Sequence, residues 1–135
     1  MTQVKTVNKI EQEKIEALAK HLNCSIDEAI NNMDDYSVLT NDEANRSARG
    51  YIEESVCFFN PSFIATHSKV DQEVIEKLQE LCEDSNKAIR TLIKDFDHFV
   101  DEAIATDGRG HFMSSYDGLE HEVNINGTDY YIYKI

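Results

Sequence analysis

The spacing of apolar residues changes at Asp107, and this change constrains the fold more than any other feature of the chain. Before Asp107, apolar residues recur every three or four positions, which is the period of an amphipathic helix. After it, residues 122–125 and 130–133 alternate with period two around Asn126-Gly127, a dipeptide that favours a tight hairpin turn. The sequence therefore predicts an α+β protein: a mainly helical, bundle-like domain with a C-terminal β-hairpin or small antiparallel sheet.

Capping residues and apolar stripes place the predicted helices. Ser25 and Glu28 form a capping box that begins a short helix after a first helix over about 10–22, and Thr40 and Glu43 form a second box that begins a longer helix. The proline of Asn60-Pro61 is expected to end or kink that helix. Two further helices are predicted over 71–83 and from 85 or 86 to 106, and a third strand at 38–39 or 112–113. The inner face of the 71–83 helix is predicted to contain Val74, Ile75, Leu78, Leu81 and Cys82.

The size of the chain favours one domain. Its 135 residues, of which 41% are apolar, can supply one continuous core. Within that single domain over 1–135 we expect an N-terminal helix pair (1–35), a helical core (36–106) and a glycine loop followed by the hairpin (107–135).

The charge balance is strongly acidic. Twenty-six acidic residues against thirteen basic ones give a net charge of −13. Such a surface repels nucleic acid and anionic membranes and attracts basic proteins, so we expect no direct nucleic-acid or membrane partner. The second N-terminal helix also presents Asp27 and Glu28 where a DNA-reading helix needs hydrogen-bond donors.

The cysteines and the hydropathy indicate the compartment. Cys24, Cys57 and Cys82 are odd in number and form no C-x-x-C pair, which is typical of reduced thiols. No apolar run approaches the roughly 18 residues that a bilayer span needs, and the N-terminus has no signal-peptide pattern. We therefore expect a cytoplasmic protein.

A glycine-rich segment is one candidate site. Three of the five glycines lie in 107–118, a stretch that we predict to be a shaped loop. Arg109 with the amides of Gly108 and Gly110 could hold an anion, and His111 could serve as an acid–base group, with Tyr116 completing a ligand site. In the alternative interpretation, Arg109 pairs with a nearby carboxylate such as Asp107 or Asp117 and fixes the loop on the hairpin.

The patterns that mark metal or nucleophile chemistry are weak. Donors for a metal can be collected from the histidines and nearby acids, but only one D-x-x-H pair occurs, at Asp95 and His98, and no H-x-x-x-H. The acids of 73–83 fall opposite the apolar stripe, which a solvated helix face explains. We therefore expect no cofactor and no metal. The metal donors considered are His98, His111, His121, Asp95, Asp97, Asp101 and Glu122.

Four segments of the chain resemble those of small acidic, uncharacterised proteins that bacteriophages and other mobile elements encode. They are 36–44, 51–63, 107–118 and the ending 130–133, and Asp107-Gly-Arg-Gly-His-Phe112 is the most specific of them. The resemblance covers residues 36–135. It implies no catalytic residue, because the group has no assigned reaction. Where the group often carries a tryptophan, this chain has Cys57-Phe58.

The resemblance and the charge together favour a function in protein binding. Small acidic phage proteins often inhibit a host defence or nucleic-acid enzyme, in some cases by presenting carboxylates where phosphates would lie. We therefore expect a non-enzymatic accessory protein that binds a host or phage protein with a basic surface, with a small enzyme or ligand-binding module at the glycine loop as the alternative. The acidic face is expected to contain Asp95, Asp97, Asp101, Glu102, Glu53 and Glu54.

Overall fold

The described chain contains eight α-helices and one three-stranded antiparallel sheet, which confirms the α+β class. The structure is a computed structural model that describes residues 2–135, with side chains described from residue 9 onward. Within these residues, no helix combines the length and the apolar character that a bilayer crossing requires. The elements are α1 Thr2–Leu22, α2 Ile26–Asn32, β1 Tyr36–Thr40, α3 Asn41–Ser55, α4 Pro61–Thr66, α5 Gln72–Gln79, α6 Asn86–Leu92, α7 Phe96–Asp107, α8 Arg109–Met113, β2 His121–Ile125 and β3 Thr128–Lys134.

The chain divides into two compact units. Residues 1–47 and 109–135 form one, which we call the sheet unit, and residues 48–108 form the other, which we call the helical unit. Helix α3 contributes its first half to the sheet unit and its second half to the helical unit. Acidic residues outnumber basic ones in both units.

The sheet has the strand order β1-β3-β2, and all neighbours are antiparallel. The predicted hairpin is confirmed, because Asn126 and Gly127 connect β2 to β3 with φ of 52° and 88°, the positive values that a tight hairpin turn requires. The third strand is β1, whose Val38 pairs with Ile132. Residues 112–113 belong to α8 instead.

The side chains of β3 alternate between the two faces of the sheet. Tyr130 and Ile132 are buried in a cluster with Leu18 of α1 and with Val38 and Val123 of the neighbouring strands. The fourth and sixth residues of β3, Tyr131 and Tyr133, therefore project from the opposite face.

A buried acid is held in the same cluster. The Glu13 carboxylate accepts a hydrogen bond from the Tyr130 hydroxyl at 2.6 Å and one from the Asn126 side chain at 3.4 Å. These bonds lower the pKa of Glu13, and burial together with the carboxylate raises the pKa of Tyr130 to about 12. Hydrogen bonds of Glu13 therefore connect α1 to β3 and to the hairpin turn.

Both predicted capping boxes are present. Ser25 Oγ accepts from the Glu28 amide at 3.1 Å. At the start of α3 the exchange is reciprocal: the Glu43 amide donates to Thr40 Oγ1 at 3.3 Å, and the Thr40 amide donates to Glu43 at 2.9 Å. Burial opposes ionisation of Glu43, but the Thr40 amide and the Lys14 ammonium at 2.9 Å outweigh it and lower its pKa.

The predicted helix over 71–83 is too long. Helix α5 ends at Gln79, and Cys82 adopts a positive φ of 52° that interrupts a helix. Of the predicted inner face only Ile75 is buried, whereas Val74 and Leu81 are exposed. At the end of α5, the Gln79 side chain donates to the carbonyls of residues 57 and 59, so a polar side chain makes the inward contact there.

The predicted helix over 85–106 is two helices, α6 and α7. Ile93 forms an antiparallel bridge with Ser68, and the Lys94 amide donates to the His67 carbonyl at 2.9 Å, so the chain is extended between the helices. Similarly, α3 ends before Asn60-Pro61, and Pro61 begins α4. Proline therefore begins a new helix here, after the preceding one has already ended.

Candidate functional site

Helix α7 carries carboxylates and contains no lysine or arginine. Asp95 precedes it in extended backbone, and its carboxylate accepts from the His98 amide at 3.2 Å, which satisfies one free donor of the first turn. Phe99, Val100 and Ala103 are buried. Because these three side chains are buried, the opposite side of the helix faces solvent.

The exposed side of α7 collects most of the predicted acidic residues. Asp97 and Asp101 are one turn apart, and Glu102 follows Asp101 by about 100° around the helix. His98 Nε2 lies 3.7 Å from Glu102. We call Asp95, Asp97, Asp101 and Glu102 the α7 face, and all four are exposed.

Two of the predicted acidic residues, Glu53 and Asp97, are engaged by arginines of the helical unit. Arg49 lies 3.0 Å from Glu53 and 2.5 Å from Asp97, and Arg90 lies 3.6 Å from Glu53. Both guanidinium groups lie over the Phe96 ring, at 5.3 and 5.0 Å from its centre. The hydrogen bond to Asp97 raises the pKa of Arg49. Arginines thus compensate these two carboxylates, whereas the other three residues of the α7 face have no lysine or arginine partner among the described residues.

Glu54 is exposed on α3, next to Glu53. Successive residues of a helix point about 100° apart, so the Glu54 side chain is directed away from the arginines that hold Glu53. Among the described residues, no hydrogen bond or ion pair joins Glu54 to the α7 face.

Arg109 lies in the sheet unit with only 10% of its side chain exposed. Its Nε donates to Glu120 at 2.6 Å, and its NH1 donates to Asn41 and Asn45 at 2.9 and 2.7 Å. The guanidinium lies 4.4 Å from the centre of the Tyr131 ring. Burial opposes the charge, but the bond to Glu120 outweighs it and raises the pKa of Arg109. The carboxylate partner is therefore Glu120, where the sequence suggested Asp107 or Asp117.

The predicted loop is helical over Arg109–Met113. Gly108 has a φ of 86° and donates its amide to the Ile104 carbonyl at 2.7 Å, which closes the end of α7. At Gly110 a Cβ would lie 2.7 Å from the Gly118 carbonyl oxygen. Gly108 therefore closes a helix, and Gly110 allows two backbone segments to approach closely. The Gly108 amide is already hydrogen-bonded within the protein.

The other residues of the predicted ligand site lie at the surface. His111 is exposed, with its ring edge-on to Phe112 at 5.0 Å. Tyr116 is also exposed, and Lys134 Nζ lies 4.0 Å from its ring centre. Neither side chain contacts Arg109 in the described structure. The arrangement does not gather these residues into one pocket with Arg109.

The metal donors considered from the sequence are dispersed. Among the described residues, no three His, Cys, Asp or Glu side chains lie together as a metal ion would require. His98 belongs to the helical unit, and His111 and His121 belong to the sheet unit. The ring of His121 instead packs against that of His21, at 4.5 Å between centres and tilted by 38°. The acids of 73–83 are exposed, as expected for a solvated helix face.

A small cavity of the helical unit was not expected from the sequence. Its volume is about 330 Å³, and residues from the start of α4 and the end of α7 line it. Spacing along the chain could not reveal it, since the two groups of residues are more than forty positions apart. The lining residues are Phe59, Asn60, Ser62, Phe63, Thr106 and Asp107.

Comparison of the chain with protein-family models, with curated proteins and with solved structures gives no match.

Proposed function

We propose that this protein is a non-enzymatic, phage-type accessory protein that binds a basic protein through the α7 face. The observation that carries the proposal is the exposure of Asp95, the N-cap of α7, and of Asp101 and Glu102 on that helix, which contains no lysine or arginine. Carboxylates that have no lysine or arginine partner add their potentials on one face, and they attract a partner rich in lysine and arginine.

The position of the charges on α7 also supports a role beyond stability. Carboxylates stabilise the first turn of a helix and oppose the macrodipole in the last turn, by about 0.3–1 kcal/mol each. Asp97 lies in the first turn, but Asp107 lies at the C-terminal end. A charge placed against the local preference of a helix is expected at a functional or strained site.

The contacts of Arg109 favour this surface over the glycine segment as the binding site. The guanidinium donates to Asn41, Asn45 and Glu120, so its donors serve the sheet unit itself. An incoming anion would have to displace these partners from a largely buried group, which costs free energy.

The mechanism is electrostatic and steric. Carboxylates of the α7 face pair with lysine and arginine side chains of the partner, and the bound protein then covers the surface at which the partner binds nucleic acid. In its sharpest form the target is a defence nuclease complex of the host, and the carboxylates occupy phosphate positions.

Capture of partners with a charge-matched pair of variants tests the proposal. The face variant is Asp95→Asn, Asp101→Asn and Glu102→Gln; asparagine at 95 retains the cap of α7 while removing its charge. The control variant, Glu73→Gln, Glu76→Gln and Glu83→Gln, removes three exposed charges elsewhere in the helical unit.

The tagged proteins are incubated with bacterial lysate at low and at high salt, and retained proteins are identified by mass spectrometry. We expect a basic nucleic-acid-binding protein that wild type and control retain, that the face variant loses, and that high salt releases. Purified, that protein should lose its nucleic acid when the wild type is added. Equal retention by the face variant and the control would reject the α7 face.

A further inference from the structure

The cavity of the helical unit has the size of a site for one side chain. Its volume of about 330 Å³ lies at the lower end of the range for ligand pockets, roughly 300–1,000 Å³. Phe59 and Phe63 provide ring surface, and Asp107 provides a carboxylate. The cavity is therefore amphipathic and carries a single formal charge, which is negative.

The aromatic wall is held in place by a buried ring. The Phe59 and Phe63 rings lie 6.1 Å apart at 28°, and the fully buried Phe99 ring lies 5.3 and 5.1 Å from them. Packing on Phe99 fixes both rings before any ligand binds. A wall fixed in this way costs little side-chain entropy on binding.

Two hydrogen-bond donors at the start of α4, both of Ser62, are already used. Pro61 has no N–H, and Asn60 Oδ1 accepts from both the amide and the hydroxyl of Ser62, at 2.8 and 2.6 Å. The acceptors open to a ligand are the lone pairs of Ser62 Oγ and the carboxylate of Asp107. The Asn60 amide and the Thr106 hydroxyl can also donate, so the charge of Asp107 sets the preference. No cation lies within ion-pairing distance of Asp107 among the described residues.

The end of α7 adds to the preference for a cation. Asp107 is the last residue of this twelve-residue helix, and the last carbonyls of a helix carry a partial negative charge. The Asp107 carboxylate and the negative end of α7 therefore both favour a cationic ligand. Together with the ring faces they suit a group that has an apolar stem and a cationic head.

We propose that this cavity binds a lysine or arginine side chain of the basic partner, with the stem against Phe59 and Phe63 and the cationic head at Asp107. The inference rests on the proposed function, because it assigns the point at which that partner inserts one side chain. Asp107 and the aromatic wall would then supply specificity, and the α7 face would supply long-range attraction.

Amino-acid probes test the cavity without the partner. Nα-acetyl-lysine N-methylamide, its arginine counterpart and the uncharged norleucine counterpart are titrated into the full chain, and binding is followed by ¹H–¹⁵N NMR. With the lysine or arginine probe, we expect saturable shifts at the lining residues. The norleucine probe should bind at least about fivefold more weakly. Asp107→Asn should weaken binding of the cationic probe about two- to fivefold.

Two further variants separate the outcomes. Phe63→Leu should also weaken binding of the cationic probe. By contrast, Glu73→Gln, which removes an exposed charge of α5 outside both the cavity lining and the α7 face, should leave the dissociation constant of the probe unchanged. Equal affinity for norleucine would mean an apolar pocket, and shifts spread over all acidic segments would mean unspecific attraction; either result overturns the inference.

Failure of the cavity and failure of the α7 face are distinguishable. If no probe shifts the lining residues but the face variant loses its partner, the side-chain site is wrong and the proposed function stands. If the lysine probe binds at Asp107 while the face variant retains the same partner as the control, the cavity is a cation site and the α7 face is not the partner surface.

Discussion

Arg49 holds the carboxylate of Asp97 at 2.5 Å, so one acid of the α7 face already has a structural partner. Asp97 also lies in the first turn of α7, where its charge favours the helix. Because 78% of its side chain is exposed, the pair is screened by solvent. We predict that Asp97→Asn lowers the free energy of unfolding by about 0.3–1 kcal/mol. Urea unfolding measures this, and an equal loss from Asp101→Asn would contradict a specific role of the pair.

Arg109 is expected to be a structural residue. Its removal takes away a side chain that is only 10% exposed and leaves Glu120, Asn41 and Asn45, which are exposed, without their common donor. We predict that Arg109→Ala lowers the free energy of unfolding by about 2–3 kcal/mol, and that Arg109→Lys recovers part of this because charge is kept but the forked geometry is lost. If urea unfolding of Arg109→Ala matched the wild type, the residue would be available for a ligand.

Two glycines in helices should respond oppositely to alanine. A Cβ at Gly110 would lie 2.7–2.9 Å from the backbone of residues 118–120, whereas a Cβ at Gly50 has no atom within 4 Å. We predict that Gly110→Ala destabilises the protein by about 1–3 kcal/mol, since backbone must move. Gly50→Ala should stabilise it by about 0.5–1 kcal/mol through helix propensity. Destabilisation by both in thermal or urea unfolding would show that α3 does not tolerate the methyl group.

The paired rings of His21 and His121 predict a loss of stability in acid. Burial and the neighbouring His121 lower the pKa of His21 below 6.5, and Asp117 opposes this only in part. Tyr36 is the third ring against it, at 6.3 Å. The unfolded chain therefore binds a proton more readily than the folded one, and stability falls as pH drops below about 6.5.

Substitution of His21 checks this pH dependence. Urea unfolding across pH 5 to 8 should give a smaller slope of stability against pH for His21→Gln than for the wild type. The matched control is His111→Gln, since His111 is exposed on α8 and away from the pair. A slope that His21→Gln leaves unchanged would assign the acid sensitivity to other groups.

Local signals predicted most of the secondary structure. The boxes at Ser25 and Thr40 and the turn at Asn126-Gly127 act within four residues, so their geometry is independent of the rest of the fold. Long-range contacts caused the errors. Apolar spacing continues through Ile93, and only its bridge to Ser68 shows that the helix is interrupted there.

The site was predictable in its charges and unpredictable in its contacts. Asp101 and Glu102 follow from the predicted helix over 85–106, whereas Asp95, expected inside that helix, precedes α7. Arg109, however, finds Asn41 and Asn45 across 68 and 64 positions of sequence, which no local pattern indicates. For the same reason the pairing of Asp97 with Arg49, 48 positions away, could not be predicted.

The salt dependence of partner affinity tests the central claim most directly. For the basic protein retained by capture, the dissociation constant is measured over a range of salt concentrations with the wild type, the face variant and the charge-matched control. We predict weaker binding and a shallower salt dependence for the face variant, and wild-type behaviour for the control. Equal dissociation constants with the same salt dependence for all three proteins would contradict binding through the α7 face.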